Sequence, residues 1–301
     1  TEVADTGGDR RRRMLMGDHR ALQEAANNSA LRESIMGSLS GSSEGMAHTD
    51  NVITQQTDTM NGATSSPDEV SPGALSGGTG LVGGQIAPDK YYVTLSMERM
   101  NKICEIRLNS KIAIVEAGVI LSNLHQLVNE NDLMFPLTFG ARGSATIGGV
   151  LSTNAGGSNV VKYGNTRDLV LGVEIVLPSG EIMDLMSELH KDNSGYCLRD
   201  LVIGAEGTLG IITKAVVKLF PKPKAYATAM IAVKSLDSAL ALLNELQDGT
   251  GGSVAAYEYM PKRYIQGHME LSSSSKKPFK KDYEHLVMVE LETTVELFSR
   301  Y

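Results

Sequence analysis

The sequence predicts an α+β fold in two modules, and three observations carry that prediction. From Tyr91 onward, short strand-like and helix-like runs alternate and are punctuated by glycine. Three glycine-rich clusters lie beside predicted strands. The prolines Pro221 and Pro223 separate a first group of elements from a second. Composition agrees, since 42% hydrophobic and 21% charged residues exclude a wholly disordered, collagen-like or coiled-coil chain.

In the first module Tyr92–Leu95 and Ile103–Leu108 read as strands, and Lys111–Glu116 pairs back across the Asn109-Ser110 turn. Val119–Glu130 carries Leu121, Leu124 and Val128 at helical spacing, which predicts an amphipathic helix. The passage from Phe135 to Tyr163 is glycine-rich and shows neither period. A connection beyond ~15 residues inside a compact domain usually marks function. Strands resume at Leu169–Leu177 and Ile182–Leu185 around Pro178-Ser179-Gly180, and again at Gly210–Phe220. Past the prolines, strand Ala227–Val233, helix Leu236–Leu246, strand Val254–Met260, helix Pro261–Met269 and strand Leu286–Glu292 predict a second α+β module. A Ser/Lys linker at 272–281 precedes its last strand. With Tyr301 so close behind that strand, the module reads as incomplete.

All ten tyrosines and five phenylalanines lie at or beyond Tyr91, and tryptophan is absent. Ser/Gly/Asn/Thr-rich runs such as Gly37-Ser38-Leu39-Ser40-Gly41 bury too little apolar surface to offset ordering, so 1–65 reads as a disordered tail. Within it Asp18–Leu39 reads as a transient helix and Arg10–Arg13 as a solvated charge run. Twenty-eight basic against 35 acidic residues give a net charge of −7, which argues against nucleic acid or anionic lipid as a partner. Cys104 and Cys197 build neither a disulfide framework nor a C-x-x-C pair, so a mitochondrial or cytoplasmic compartment is expected rather than secretion. No apolar run reaches the ~18 residues of a transmembrane segment. None of His19, His48, His125, His190, His268 and His285 has metal-ligand spacing, so no metal is expected.

Chemistry concentrates in the glycine clusters. In Ser76-Gly77-Gly78-Thr79-Gly80-Leu81-Val82-Gly83-Gly84 several backbone N–H groups can converge on one anion without a Cβ in the way. The run is not a Walker A loop, because no Gly-Lys-Ser/Thr follows. Gly140-Ala141-Arg142-Gly143-Ser144-Ala145-Thr146-Ile147-Gly148-Gly149, then Asn154-Ala155-Gly156-Gly157 and Tyr163-Gly164, interleave small residues with short hydrogen-bonding side chains. That combination suits a flat polar ligand such as an isoalloxazine. Gly204-Ala205-Glu206-Gly207-Thr208-Leu209-Gly210-Ile211-Ile212 is a third tight turn that enters a strand.

These runs, with Val173–Leu177, resemble the FAD-binding domain of the PCMH-type (vanillyl-alcohol oxidase) flavoprotein superfamily over about 77–295. Within it they are most similar to the FAD-linked D-2-hydroxyacid dehydrogenases, and Leu189–Tyr196 looks most like the D-2-hydroxyglutarate group. The resemblance implies an FAD-binding domain of two αβ subdomains at 66–223, followed by a truncated ferredoxin-like cap at 224–301. It implies that Gly77, Gly78, Thr79, Gly80 and Leu81 wrap the pyrophosphate. Pro136, Gly140, Gly143, Ser144, Ile147, Gly148, Gly149, Asn154, Gly156, Gly157, Tyr163 and Gly164 would follow the ribityl chain and ring. Glu206, Gly207, Ile211 and Ile212 would lie near the adenine end. No histidine stands between His48 and His125, so the implied FAD is non-covalent.

Ser65-Ser66-Pro67-Asp68-Glu69-Val70 resembles the family's entry segment, with Gly77 close behind. That spacing predicts that the usual helix and second strand are missing and the N-terminal βαβ part is shortened. The implied activity oxidises a D-2-hydroxy acid, of D-2-hydroxyglutarate or D-lactate type, to the 2-oxo acid. Electrons then pass to a carrier protein or quinone, and a homodimer is an open expectation. The family's substrate arginine and catalytic histidines lie further along than this chain runs, so no catalytic residue is assigned. A catalytically incomplete FAD-binding fragment, or another oxidase or synthase of the superfamily, stays open as an alternative.

Overall fold

The computed structural model describes residues 71–75, 78–81, 92–271 and 276–295. The tail at 1–65, its transient helix, the entry at 65–70 and Gly77 lie outside the described residues. In chain order the elements begin with β1 (Ser71–Leu75), β2 (Tyr92–Ser96), β3 (Ile103–Arg107), β4 (Ile112–Glu116), α1 (Leu121–Asn129) and β5 (Leu133–Met134). Next come α2 (Ile147–Ser152), α3 (Val160–Tyr163), β6 (Val170–Val176), β7 (Ile182–Leu185), α4 (Leu198–Val202) and β8 (Ile211–Lys218). The chain continues with β9 (Phe220–Pro221), β10 (Ala225–Val233), α5 (Leu236–Thr250), β11 (Val254–Pro261), α6 (Lys262–Leu271) and β12 (His285–Thr293). The result is a mixed α/β fold with antiparallel sheets, divided into two units.

The first unit gathers residues up to Leu127 with Ala141–Ala155 and Val170–Lys218. Its five-stranded sheet runs β3-β4-β8-β6-β7, antiparallel throughout. The β6 sequence Val-Leu-Gly-Val-Glu-Ile-Val is buried at every position but Glu174, as befits a central strand covered on both faces. Glu174 is satisfied there by the Thr213 hydroxyl at 2.6 Å and Lys214 Nζ at 3.1 Å. Helix α1 buries Leu121 and Leu124 fully, and Ile112, Ile147, Leu151, Ile175 and Ile203 are further large, fully buried side chains of this unit. Full burial of such a side chain stabilises by about 1.5–3 kcal/mol.

Ahead of the first glycine loop, β1 pairs in parallel with β2 in register from Ser71↔Tyr92 to Leu75↔Ser96. Proline in Ser-Pro-Gly-Ala-Leu argues against a central strand, yet an edge position tolerates it. One expectation is corrected: the glycine-rich passage is not aperiodic loop, since it holds a 3-10 turn at Gly140–Gly143 and the helices α2 and α3. Six residues are too few to show a helical period. Helix α2 exists because Thr146 caps it and its Ile147, Gly148, Val150 and Leu151 are buried.

The second unit gathers Val128–Gly140, Gly156–Leu169 and the chain from Leu219 on. Its main sheet runs β10-β12-β11, antiparallel, and β5 pairs with β9 as a second two-stranded piece. Helix α5 starts behind Ser235, whose hydroxyl accepts from the Ser238 N–H at 3.1 Å, and stops at Gly251 in the left-handed region (φ 61). Replacing Ser235 with alanine therefore removes about 1 kcal/mol of stability, read as a lowered urea midpoint with an unchanged m-value. Among the described residues no helix is long and apolar enough to cross a membrane.

Candidate cofactor site

An open cavity of about 780 Å³ lies in the first unit, within the usual range for small-molecule and cofactor sites of ~300–1,000 Å³. Four connections build its walls. The loop after β1 supplies Gly78; the turn after β2 supplies Met97, Glu98 and Asn101; the β4-α1 junction supplies Gly118, Ile120 and Asn123. Gly143, Ser144 and Thr146 come from the turn that leads into α2.

These connections are fixed by packing. The Gly118 N–H donates to the Met100 carbonyl at 2.7 Å, and Met97 and Met100 are themselves buried. At the start of α2 the Ile147 N–H donates to Val119 O at 2.9 Å and the Gly148 N–H to Ala117 O at 2.7 Å. The Gly149 N–H reaches the Thr146 hydroxyl at 3.3 Å. The first turn of α2 thus spends these donors on the protein.

The glycines of the predicted site divide by what a side chain would meet. A Cβ on Gly148 would stand 2.7 Å from Ala117 Cβ, and one on Gly157 2.5 Å from Thr138 O, so internal packing alone explains both. Around Gly140 and Gly143 nothing lies within 4 Å and neither has a positive φ. No contact or backbone strain within the protein calls for glycine there. Gly143 lines the cavity, where a Cβ would fill space that a ligand can use. Gly78 and Gly207 also face open space, with φ of 61° and 82° that glycine adopts without strain. A cradle of bare backbone around a roomy groove fits a dinucleotide cofactor. Replacing Gly143 with leucine is accordingly expected to weaken cofactor binding at least tenfold while leaving the unfolding midpoint unchanged, checked by flavin titration and thermal melt.

Of the predicted positions, Gly78, Gly143 and Ser144 meet in this cavity. Thr79, Gly80 and Leu81 continue the loop of Gly78, with Leu81 fully exposed. The second and third clusters are joined at the end of α2: the Gly204 N–H donates to Leu151 O at 2.9 Å and the Glu206 N–H to Ser152 O at 2.8 Å. Asn154 and Glu206 both adopt positive φ in that junction. Ile147 and Ile212 are buried in the core, and Ile211 is half-buried beside Val176 on the neighbouring strand. Glu98, Asn101 and Asn123 carry no motif and were not legible as site residues, since exposed polar side chains on a turn or helix look like any surface.

Pro136, Gly156, Gly157, Tyr163 and Gly164 belong to the second unit and are tied together there. The Asn159 amide donates to Pro136 O at 3.1 Å, and the Ser158 N–H to Thr138 O at 2.9 Å. The Tyr163 hydroxyl donates to the buried Glu292 carboxylate, which Lys162 Nζ approaches to 3.0 Å. Burial, then the Glu292 carboxylate, push the Tyr163 phenol far above the ordinary tyrosine range, so it stays protonated. Its ring meets Phe220 edge-on at 4.8 Å.

Comparison with known proteins agrees with this geometry. Residues 67–186 match the family model described as FAD binding domain. Over 214 residues the chain is 35% identical to the D-2-hydroxyglutarate-pyruvate transhydrogenase of Saccharomyces cerevisiae, covering 71% of this chain and 43% of the yeast protein. Over 190 residues it is 38% identical to the mitochondrial D-2-hydroxyglutarate dehydrogenase of Rattus norvegicus, covering 63% of this chain and 35% of the rat protein. Among solved structures, alkyldihydroxyacetonephosphate synthase shares the fold with a TM-score of 0.60 at 21% identity, over 74% of this chain and 44% of that one. The chain spans less than half the length of each of these proteins. Residues 67–186, which carry the open glycine positions Gly78 and Gly143, thus match the FAD binding domain model, and that match indicates FAD as the cofactor.

Proposed function

We propose that this chain forms the flavin-holding part of an FAD-dependent oxidoreductase that converts a D-2-hydroxy acid of the D-2-hydroxyglutarate type to its 2-oxo acid. The observation that carries the reading is 38% identity, over 190 residues, to a protein named D-2-hydroxyglutarate dehydrogenase, mitochondrial. FAD, when bound, supplies the acceptor for the hydride that leaves the substrate Cα. The chain's own residues bind and orient it. Gly78, Thr79 and Gly80 present backbone N–H groups to the diphosphate, Gly143 keeps the way clear for the ribityl chain and ring, and Ser144 offers a hydroxyl. Glu206 and Gly207 serve the adenine end. Attachment is non-covalent, as no histidine stands near the first loop.

The wider reading follows from the same likeness. The FAD-binding part covers 66–223 and the second α+β module is a ferredoxin-like substrate cap. The compartment is the mitochondrion, as in the name of the rat relative. The electron acceptor is a carrier protein or quinone, and two copies associate as a homodimer. Anaerobic addition of D-2-hydroxyglutarate to the FAD-loaded chain tests the substrate. Bleaching of the visible flavin band by D-2-hydroxyglutarate, but not by sugars or simple alcohols, is expected. Bleaching by sugars or simple alcohols instead would contradict the assignment.

A further inference from the structure

The cavity of the first unit carries three polar side chains that the glycine clusters do not account for. Glu98, Asn101 and Asn123 line it together with Gly78, Gly143 and Ser144. All three are exposed, and no hydrogen bond or ion pair engages their side chains among the described residues. Their placement is nonetheless fixed. Met97 and Met100 are buried on either side of Glu98, and the carbonyls of both stand over Gly118, which holds the turn down and directs Glu98 and Asn101 away from the core. On α1, the inward face is taken by Leu121, Leu124 and Val128, which leaves Asn123 on the opposite side.

The charge of this wall is informative. Among the described residues its lining includes one carboxylate, Glu98, and no lysine or arginine. A diphosphate set against Glu98 would face like-charge repulsion from that carboxylate. A polyol has the reverse match: its hydroxyls donate to a carboxylate in charge-assisted bonds, and carboxamides both donate to and accept from hydroxyls. We propose that Glu98, Asn101 and Asn123 form the hydrogen-bonding wall for a hydroxyl-bearing stretch of the bound dinucleotide, with the diphosphate held away from Glu98 on the glycine loop. The inference rests on FAD as the ligand and adds which end of the groove takes sugar-like chemistry.

Calorimetric titration of the full chain with FAD tests it, with riboflavin and adenosine as separate ligands. Glu98→Ala weakens FAD binding about tenfold, Glu98→Gln less, and Asn101→Ala and Asn123→Ala about threefold each. The thermal midpoint of each variant stays at the wild-type value, because no protein partner is lost. A parallel loss for riboflavin assigns the wall to the ribityl chain; a parallel loss for adenosine assigns it to the ribose; either supports the proposal. Unchanged or tighter FAD binding by Glu98→Ala and Glu98→Gln, while the wild type binds FAD, would place a phosphate or nothing at Glu98 and overturn it. A wild-type chain that binds no FAD would overturn the FAD reading and this inference with it.

Discussion

Replacing Gly118 with alanine is expected to remove about 3 kcal/mol of stability from the first unit, the upper range for overpacking. The added Cβ would stand 1.9 Å from Met97 O, 2.7 Å from Met100 O and 2.9 Å from Met97 C. All three are backbone atoms, so no flexible side chain can swing aside. The turn at 97–100 must lift, and with it goes the 2.7 Å hydrogen bond from the Gly118 N–H to Met100 O. Because that turn is one wall of the cavity, FAD affinity should fall together with stability. Gly143→Ala is the control: nothing lies within 4 Å of its Cβ, so its urea midpoint should match the wild type. A Gly118→Ala midpoint equal to that of the control would show that the close approach does not hold in solution.

The second large effect belongs to the Lys162-Glu292-Tyr163 cluster of the second unit. Glu292 is 3% exposed, and removing a partner from a buried ion pair strands the other charge at roughly 3–5 kcal/mol. Lys162 is a quarter exposed, so water screens the pair and Lys162→Met should cost about 3 kcal/mol, near the bottom of that range. Glu292→Gln should cost less, about 1 kcal/mol, since the amide oxygen still accepts from Tyr163 and Lys162 can turn to solvent. The order of the two variants in urea melts is the discriminating result. Tyr163 adds an alkaline signature. Its folded pKa is raised, so its contribution is full below the ordinary tyrosine value of about 10 and is lost as pH climbs toward the folded value. Tyr163→Phe should flatten that alkaline decline.

Much of the sheet framework was legible because it alternates or repeats cleanly. The spacing of Leu121, Leu124 and Val128 marks α1, and Pro178-Ser179-Gly180 marks the turn between β6 and β7. Elements whose cause lies elsewhere in the chain were not. Helix α2 contains Gly148-Gly149, which lower helix propensity, and depends on its Thr146 cap and on Ala117 and Val119 accepting its first N–H groups. Strand β1 contains proline and glycine and depends on β2 beside it. At the site, glycine density located the cradle but did not separate Gly148, which packs on Ala117, from Gly143, which faces open space. The wall of Glu98, Asn101 and Asn123 left no signal, because only folding brings a turn and a helix face to one cavity.

Retention of FAD by the bare glycine backbone of the first unit is read most directly from the visible absorption spectrum of the full chain after incubation with FAD and removal of excess cofactor by gel filtration. A retained flavin band with resolved shoulders is expected for the wild type, and its loss in Gly143→Leu at an unchanged unfolding midpoint. A folded wild-type chain that emerges colourless would contradict it.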